Sequence, residues 1–360
     1  MQFSKTSKEH VDSCRFCWMC RHVCPIGNAT GQERNTSRAR ALSLSLVTRG
    51  GAQFSPDMAD NIYECALCGG CTNNCVTGWD PIIFTKEARR EAALDGLLPA
   101  YISKLIENLN DTGNVYGETS LDSALAQEIG TLPKNSDTLL FLGQDARCKS
   151  PENAINAIKL LKKAHVDFTV LENEPGSGYA WDFLTGATSE TKEAMTNAAK
   201  QLNFKRIIAY DPCDAKVFLR EYKEWNIGLT AEVVTFTSFT AKLLADGKLT
   251  AQKSDKKAAF QDPVHLARDL EETEAPRSIV KACARLTEPV TTGKETIWAG
   301  GTLMAQYMPE VMKNTARNRW NDVSEAEVLV TACPGEYESL KAVKPEDKEL
   351  ITIEQLLLKE

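Results

Sequence analysis

Eight of the 12 cysteines in this 360-residue chain fall in two short windows, Cys14, Cys17, Cys20 and Cys24, then Cys65, Cys68, Cys71 and Cys75. The first window reads CRFCWMCRHVCP and the second CALCGGCTNNC, and both have the spacing C-x2-C-x2-C-x3-C. Three thiols so close in sequence meet at one point only if the backbone winds tightly around what they hold. A disulfide scaffold is short, secreted and spreads its cysteines along the chain. Here they crowd together, and the opening MQFSKTSKEHVDSC lacks the apolar core of a signal peptide. Crowded thiols of this kind read as metal ligands in a reducing compartment, which places the protein in the cytoplasm.

The spacing is the bacterial ferredoxin run for [4Fe–4S] clusters. Three thiolates on the winding loop reach three irons of one cube, and the fourth cysteine, on the departing segment, faces away. In two-cluster ferredoxins that fourth cysteine ligates the other cluster. Carried over, one cluster takes Cys14, Cys17, Cys20 and Cys75, and the other Cys65, Cys68, Cys71 and Cys24. Two zinc sites are the alternative, with disulfides or unligated thiols behind them. Structural zinc usually uses paired C-x2-C arms separated by a longer loop. Val76 follows Cys75 where the first motif has Pro25, a departure that removes no ligand.

Asn35 to Thr48 has helix-forming content ended by Gly50 and Gly51, and Asp80-Pro81 reads as the start of another helix. The clusters are therefore expected in a helical frame. Gly69 and Gly70 leave room for backbone amides to approach sulfur, which tunes a cluster's potential. Arg15, Arg21 and His22 are candidates for electrostatic tuning, against the reading that they are solvated surface groups.

A net charge of −7 argues against generic nucleic-acid binding. No run approaches the ~18 apolar residues of a membrane span. The region 102–132 reads as a connector with one helix, turn-rich over NLNDTGNVYG. From Asp137 strands alternate with helices: TLLFLG, a helix from Pro151 to Ala164 capped by Ser150, FTVLE, a helix from Glu190 to Leu202 capped by Ser189, then RIIAYD. Alternation predicts a largely parallel sheet. A glycine turn, helix, strand and cysteine recur, with Gly176 before Cys213 and Gly300 before Cys333. That suggests two similar lobes around a pseudo-two-fold with a cleft between them. No nucleotide-binding glycine fingerprint occurs, so any flavin belongs to a partner.

The order of these parts resembles the iron–sulfur subunits of glycolate oxidase, anaerobic glycerol-3-phosphate dehydrogenase and lactate-utilisation proteins, and the catalytic iron–sulfur subunit of heterodisulfide reductases. The resemblance rests on the two cysteine runs and SRAR (37–40), with support from TGN (112–114), QDPVHLAR (261–268), TACP (331–334) and the tail ITIEQLLLKE. It implies an α+β multidomain chain: a helical double-[4Fe–4S] ferredoxin-like domain over 1–100, a connector over 101–136, and two pseudo-symmetric α/β lobes (CCG domains) over 137–250 and 251–360. The lobes depart from the pattern. Where the family has Cys-Cys-Gly, this chain has Glu174-Pro175-Gly176 and Trp298-Ala299-Gly300. The family's His-Asp-Pro-Cys is Gln261-Asp262-Pro263-Val264, its Gly-Cys is Gly143-Gln144, and its paired C-x2-C ends keep only Cys213, with Lys216, and Cys333, with Glu336. Without those thiolates the special cluster that cleaves disulfides has no ligands.

The resemblance implies an electron-transfer subunit of an oxidoreductase, relaying single electrons between a flavoprotein dehydrogenase that carries FAD and a downstream acceptor. The partner's substrate would be a small hydroxy acid or polyol phosphate. A quinone or membrane-anchor subunit is a further candidate partner, holding the chain at the inner face of the membrane. The alternative is a self-contained reductase with a quinone or small-substrate site between the lobes. Its candidate residues are Cys213 and Cys333, at helix N-termini where a thiolate is stabilised, and His265 with Asp262 as an acid–base pair. A redox sensor is a third reading. Cys148 and Cys283 read as small apolar residues.

Overall fold

The computed structural model describes residues 3–359. Its first part is helical, and no strand occurs before Thr138 among the described residues. Local chemistry sets where the helices begin. The side chains of Thr36, Ser55 and Asp80 accept hydrogen bonds from the backbone N–H groups of Ala39, Met58 and Ile82, opening the helices Ser37–Thr48, Pro56–Tyr63 and Pro81–Leu94. Pro56 and Pro81 occupy first helical positions, where a missing N–H costs nothing. The helix Lys5–Asp12 packs Val11 into a core with Leu44, Ile62, Trp79 and Phe84. Ser4 Oγ donates to Glu87 Oε2 at 2.6 Å, tying that helix to Pro81–Leu94.

The stretch expected to hold one helix holds two, Ala100–Thr112 and Ser123–Gly130. The first runs through Asn108–Thr112, because Ile102, Leu105 and Leu109 recur on its buried face until Gly113 ends it in the left-handed region.

Two parallel sheets follow. Strands β1 (Thr138–Phe141), β2 (Arg206–Ala209) and β3 (Glu232–Thr235) lie in the order β1-β2-β3. Strands β4 (Lys257–Gln261), β5 (Arg285–Leu286), β6 (Val328–Thr331) and β7 (Glu349–Thr352) lie in the order β5-β4-β6-β7. The expected strand FTVLE is reduced to one bridge, Thr169 beside Leu139 on the free side of β1. At that edge only Thr169 pairs, through Leu140 N–H to its carbonyl and its own N–H to Thr138 O, both 2.9 Å. Ser150 does not cap its helix with its side chain; its hydroxyl goes to Glu338 Oε1 at 3.0 Å. The cap expected at Ser189 is Thr188, one residue earlier.

Alternate residues of each strand face different cores, as in sheets covered on both sides. Leu140, Ile208, Phe260, Val330 and Ile351 join one continuous core with the helices Pro151–Lys163, Phe236–Ala245, Glu274–Cys283 and Ile353–Leu358. The other faces are separate: Phe141 and Ile207 pack with Phe218 and Tyr222, and Leu329 with Trp320 and Leu340. A further core unites the helical part with both sheet-bearing parts, joining Ile26, Tyr63 and Ile102 to Phe183, Leu184, Leu303 and Met312. Beside it lies a buried ion network. Lys86 reaches Asp182 at 2.5 Å and Glu221 at 3.2 Å, and Lys216 reaches Glu221 at 2.7 Å. Among the described residues no helix is long and apolar enough to cross a membrane.

Candidate metal centres

The two cysteine loops follow the same backbone path. Phe16 and Leu67 both have φ of +52°, and Trp18 and Gly69 have φ of +72° and +73°. A left-handed conformation costs a residue with a side chain about 1–2 kcal/mol. Phe16, Trp18 and Leu67 accept that cost where the thiols must converge, the usual setting for backbone strain. The same winding turns amides toward sulfur: Phe16 N–H points at Cys14 Sγ and Leu67 N–H at Cys65 Sγ, each 3.4 Å away. Gly70 N–H also donates to Cys68, and Gly27 N–H to Cys24 Sγ at 3.4 Å.

Each loop walls a cavity with a cysteine of the other. Cys14, Cys17 and Cys20 surround one with Cys75, alongside Phe16, Trp18, Arg38 and Trp79. Cys65, Cys68 and Cys71 surround the second with Cys24, alongside Ser37, Arg40 and Ile82. The first is at the surface: Cys17 is exposed, and Trp18 and Met19 are 41% and 47% exposed. The second lies deeper. Burial pushes the Cys24 thiol up to about 11 and raises Cys68 and Cys71, with the Arg40 and Arg268 guanidiniums opposing it at Cys24 and Cys68. A bound cation would displace these protons, since the thiolate is the metal ligand.

The donor set fits a [4Fe–4S] group. Each cavity presents four thiols, with no imidazole or carboxylate among its lining residues. Each wall also carries a buried donor with nothing to bond: Arg40 Nη2 at the inner cavity and Trp79 Nε1 at the outer one. A buried N–H without an acceptor costs about 1–3 kcal/mol. A cube carries inorganic sulfides that accept such donors, whereas a zinc ion adds no acceptor beyond its ligands.

Two arginines outside the motifs hold the second loop. Arg89 is fully buried, sits over the Tyr63 and Phe183 rings, and donates to Cys65 O at 2.5 Å, Phe183 O at 2.6 Å and Ile62 O at 3.1 Å. Arg268 comes from the short π-helix His265–Asp269 after β4 and donates to Cys68 O at 2.6 Å and Lys294 O at 2.8 Å. Its guanidinium passes Gly70, where a Cβ would stand 3.6 Å from it and 3.2 Å from Val23 O. Neither arginine's role is visible in the cysteine spacing. Arg15, Arg21 and His22 are all exposed at the surface, with Arg21 over the Trp18 ring.

At the sheets' carboxyl-terminal edges the remaining candidates separate. Asp262 does not meet His265 as a pair. It accepts two hydrogen bonds from Arg277 at 2.7 Å and one from Gly293 N–H, closing the loop after Thr292. His265 Nδ1 pairs instead with Asp269 at 2.8 Å, and burial lowers its pKa. Cys213 and Cys333 do come together, from the ends of β2 and β6, with Asp211. They are not activated thiolates. The hydrogen bond with Cys333, then burial, hold Cys213 well above its ordinary value. At Cys333 the bond from Cys213 acts downward, but burial beside Asp211 outweighs it, to about 12. Cys283 is buried in the main core, and Cys148 borders a cleft with Asn114, Arg147, Glu174, Tyr179 and Asp214. That cleft is lined by the connector and first-sheet segments, not by both sheet-bearing parts.

Comparison with known proteins agrees with the thiol geometry. Residues 10–79 match the family model described as a 4Fe-4S dicluster domain. The chain resembles the iron–sulfur subunits of the CCG-domain oxidoreductases. It is 25% identical to a probable membrane-anchored ferredoxin of Chromohalobacter salexigens, over 93% of this chain and 57% of that one. It is 23% identical to a subunit of the dihydromethanophenazine:CoB–CoM heterodisulfide reductase of Methanosarcina acetivorans, over 90% of this chain and 87% of the other. It is 25% identical to the EtfAB:quinone oxidoreductase of Syntrophomonas wolfei, over 90% of this chain and 54% of that protein. The chain thus spans little more than half the length of two of these relatives.

Proposed function

We propose that this chain is the iron–sulfur electron-transfer subunit of an oxidoreductase complex, passing single electrons between a flavoprotein dehydrogenase and a downstream acceptor. Cys14, Cys17, Cys20 and Cys75 would hold one [4Fe–4S] cluster and Cys65, Cys68, Cys71 and Cys24 the other. The observation that carries this reading is the crosswise walling of two cavities by four thiols each. Bound clusters supply one-electron redox chemistry, which complements the two-electron chemistry of a flavin. The chain's own residues would set the direction of transfer. Trp18 and Met19 expose the rim of the outer cavity to a partner, while Arg40, Arg268 and the amide of Gly70 favour added negative charge at the inner one. FAD is assigned to the partner, whose substrate would be a small hydroxy acid or polyol phosphate.

The domain division 1–100, 101–136, 137–250 and 251–360 is part of this proposal, and so is a pseudo-two-fold between the sheet-bearing parts. Its support is a shared order. With Thr169 counted as a vestigial edge strand, the first sheet runs edge-β1-β2-β3, as the second runs β5-β4-β6-β7. A reducing cytoplasmic setting, with attachment to the membrane's inner face through a partner, is supported by the crowded thiols and by the relative named as a membrane-anchored ferredoxin.

Copurification should recover a flavoprotein, with about eight irons per copy of this chain. In that complex Cys17→Ser and Cys68→Ser should abolish electron transfer to the acceptor while substrate still reduces the flavin. Full turnover with both variants would contradict the wire. A reductase site in the sheet-bearing parts is the second reading, favoured by the meeting of Cys213 and Cys333.

A further inference from the structure

A cleft of about 390 Å3 opens where the end of the helix Ala100–Thr112 and the loop behind it meet the segments that follow β1. Small-molecule sites run from about 300 to 1,000 Å3. Phe141, Tyr179, Trp181 and Met195 give this cleft apolar surface, and four carboxylates give it charge. Glu118 and Glu172 are exposed at its mouth, Glu174 is half-buried, and Asp214 is only 6% exposed.

The floor of the cleft has no balancing cation. Among the lining residues Arg147 is the only lysine, arginine or histidine, and its guanidinium is taken by two backbone carbonyls, Leu171 O at 3.0 Å and Glu172 O. Lys149 lies 3.4 Å from Glu118, outside the lining. Glu174 accepts the N–H groups of Leu142 and Gly143, each at 2.8 Å. Asp214 makes no ion pair among the described residues. Its Oδ1 accepts from the Ser177 hydroxyl, and its Oδ2 accepts from no described residue. That oxygen lies against Gly143, where a Cβ would overlap it. Buried carboxylates close by are treated differently: Asp182 and Glu221 have Lys86 and Lys216, and Asp262 has Arg277. A buried carboxylate without a cation is costly. Burial, with Asp211 nearby, pushes the Asp214 carboxyl well above its usual range.

The same charges exclude an anion. A carboxylate or phosphate ligand would face four carboxylates and no free cation, so the hydroxy acid or polyol phosphate assigned to the flavoprotein has no place here.

We propose that this cleft binds a small aliphatic diamine or polyamine. One ammonium sits against Asp214 and Glu174 at the floor, a second meets Glu118 and Glu172 at the mouth, and the carbon chain lies along Tyr179 and Trp181. Ammonium–carboxylate hydrogen bonds are charge-assisted and stronger than neutral ones, and the first of them gives Asp214 Oδ2 the partner it lacks. Binding forms no covalent bond; the ammonium keeps its protons and the Asp214 carboxyl releases its own to solvent. The site is independent of the electron-transfer reading, since it shares no residue with either cysteine loop.

The test uses the full chain with its clusters loaded anaerobically, titrated with putrescine or spermidine in a calorimeter. n-Butylamine is the single-charge control and glutarate the anionic one. The expected result is saturable binding of one equivalent, weakened at least about tenfold in folded Asp214→Asn and Glu174→Gln by the loss of a charged hydrogen bond, with cluster iron and EPR signals unchanged. n-Butylamine should bind more weakly than putrescine, and glutarate not at all. If the variants misfold, alkylation of Cys148, which lines the cleft, decides in the parent chain: putrescine should slow it and glutarate should not. No saturable binding of either amine, undiminished affinity in the folded variants, n-butylamine as tight as putrescine, or Cys148 alkylation unmoved by putrescine overturns the proposal.

Discussion

Arg40 brings a guanidinium to the wall of the inner cavity, with Nε donating to Asn61 O at 2.9 Å and Nη2 left without a partner. A charged donor aimed at a cluster stabilises its reduced, more negative form. A hydrogen bond to a charged group is worth about 1.5–3 kcal/mol, which for one electron at about 59 mV per tenfold is on the order of 60–130 mV. Arg40→Met should lower one cluster's midpoint by that order in an EPR-monitored redox titration and leave the other unmoved; unchanged midpoints would remove Arg40 from tuning. SRAR marks the position in the sequence, but nothing there says which arginine turns inward. Burial also sets a pH dependence. It drives Glu336 up to about 8 and Glu354 up to about 7, against an ordinary 4.5. The folded chain therefore keeps protons that the unfolded chain has released. Their contribution is full below about pH 4.5 and is lost as pH rises through 7 to 8. The melting temperature should fall between pH 5 and 8, and Glu336→Gln should flatten that fall. An equal slope in the variant would mean that Glu336 titrates normally.

The loop from Cys65 to Cys75 is held at two carbonyls by arginines from distant elements, Arg89 at Cys65 and Arg268 at Cys68. Arg268→Ala should free the loop from the π-helix after β4 without touching a thiol. Chelator-driven iron loss should then quicken at one cluster and stay at the parent rate at the other; equal rates at both would show that the clamp is dispensable. The loops themselves were readable from sequence, because thiol spacing limits how the backbone can wind. The helix starts at Thr36, Ser55 and Asp80 are local chemistry too, although Ser150 and Ser189 show how easily a cap is assigned to the wrong hydroxyl. FTVLE has strand composition, but composition carries no information about how much of an edge finds a partner. Asp262 and His265 are close in sequence and drawn apart by Arg277 and Asp269, which only the fold supplies.

On the scale of the molecule, helical part and sheets form one continuous body. Tyr63 Oη donates to Leu184 O at 2.6 Å, Tyr307 Oη to Tyr63 O at 2.9 Å, and Lys86 joins the network of Asp182 and Glu221. The inner cavity is thus tied to both sheet-bearing parts, and the outer one opens to solvent. The alternation of strand and helix predicted parallel sheets. It did not predict that one face of each would share a core, since that depends on bringing together residues more than 100 positions apart, such as Leu140 and Phe260. The crossed assignment is the central claim, and single-cysteine variants studied by EPR after anaerobic reduction test it most directly. Cys17→Ser and Cys75→Ser should perturb the same cluster signal, and Cys68→Ser and Cys24→Ser the other. Pairing of Cys75 with Cys68, or of Cys24 with Cys17, would mean that each motif ligates its own cluster and would contradict the account.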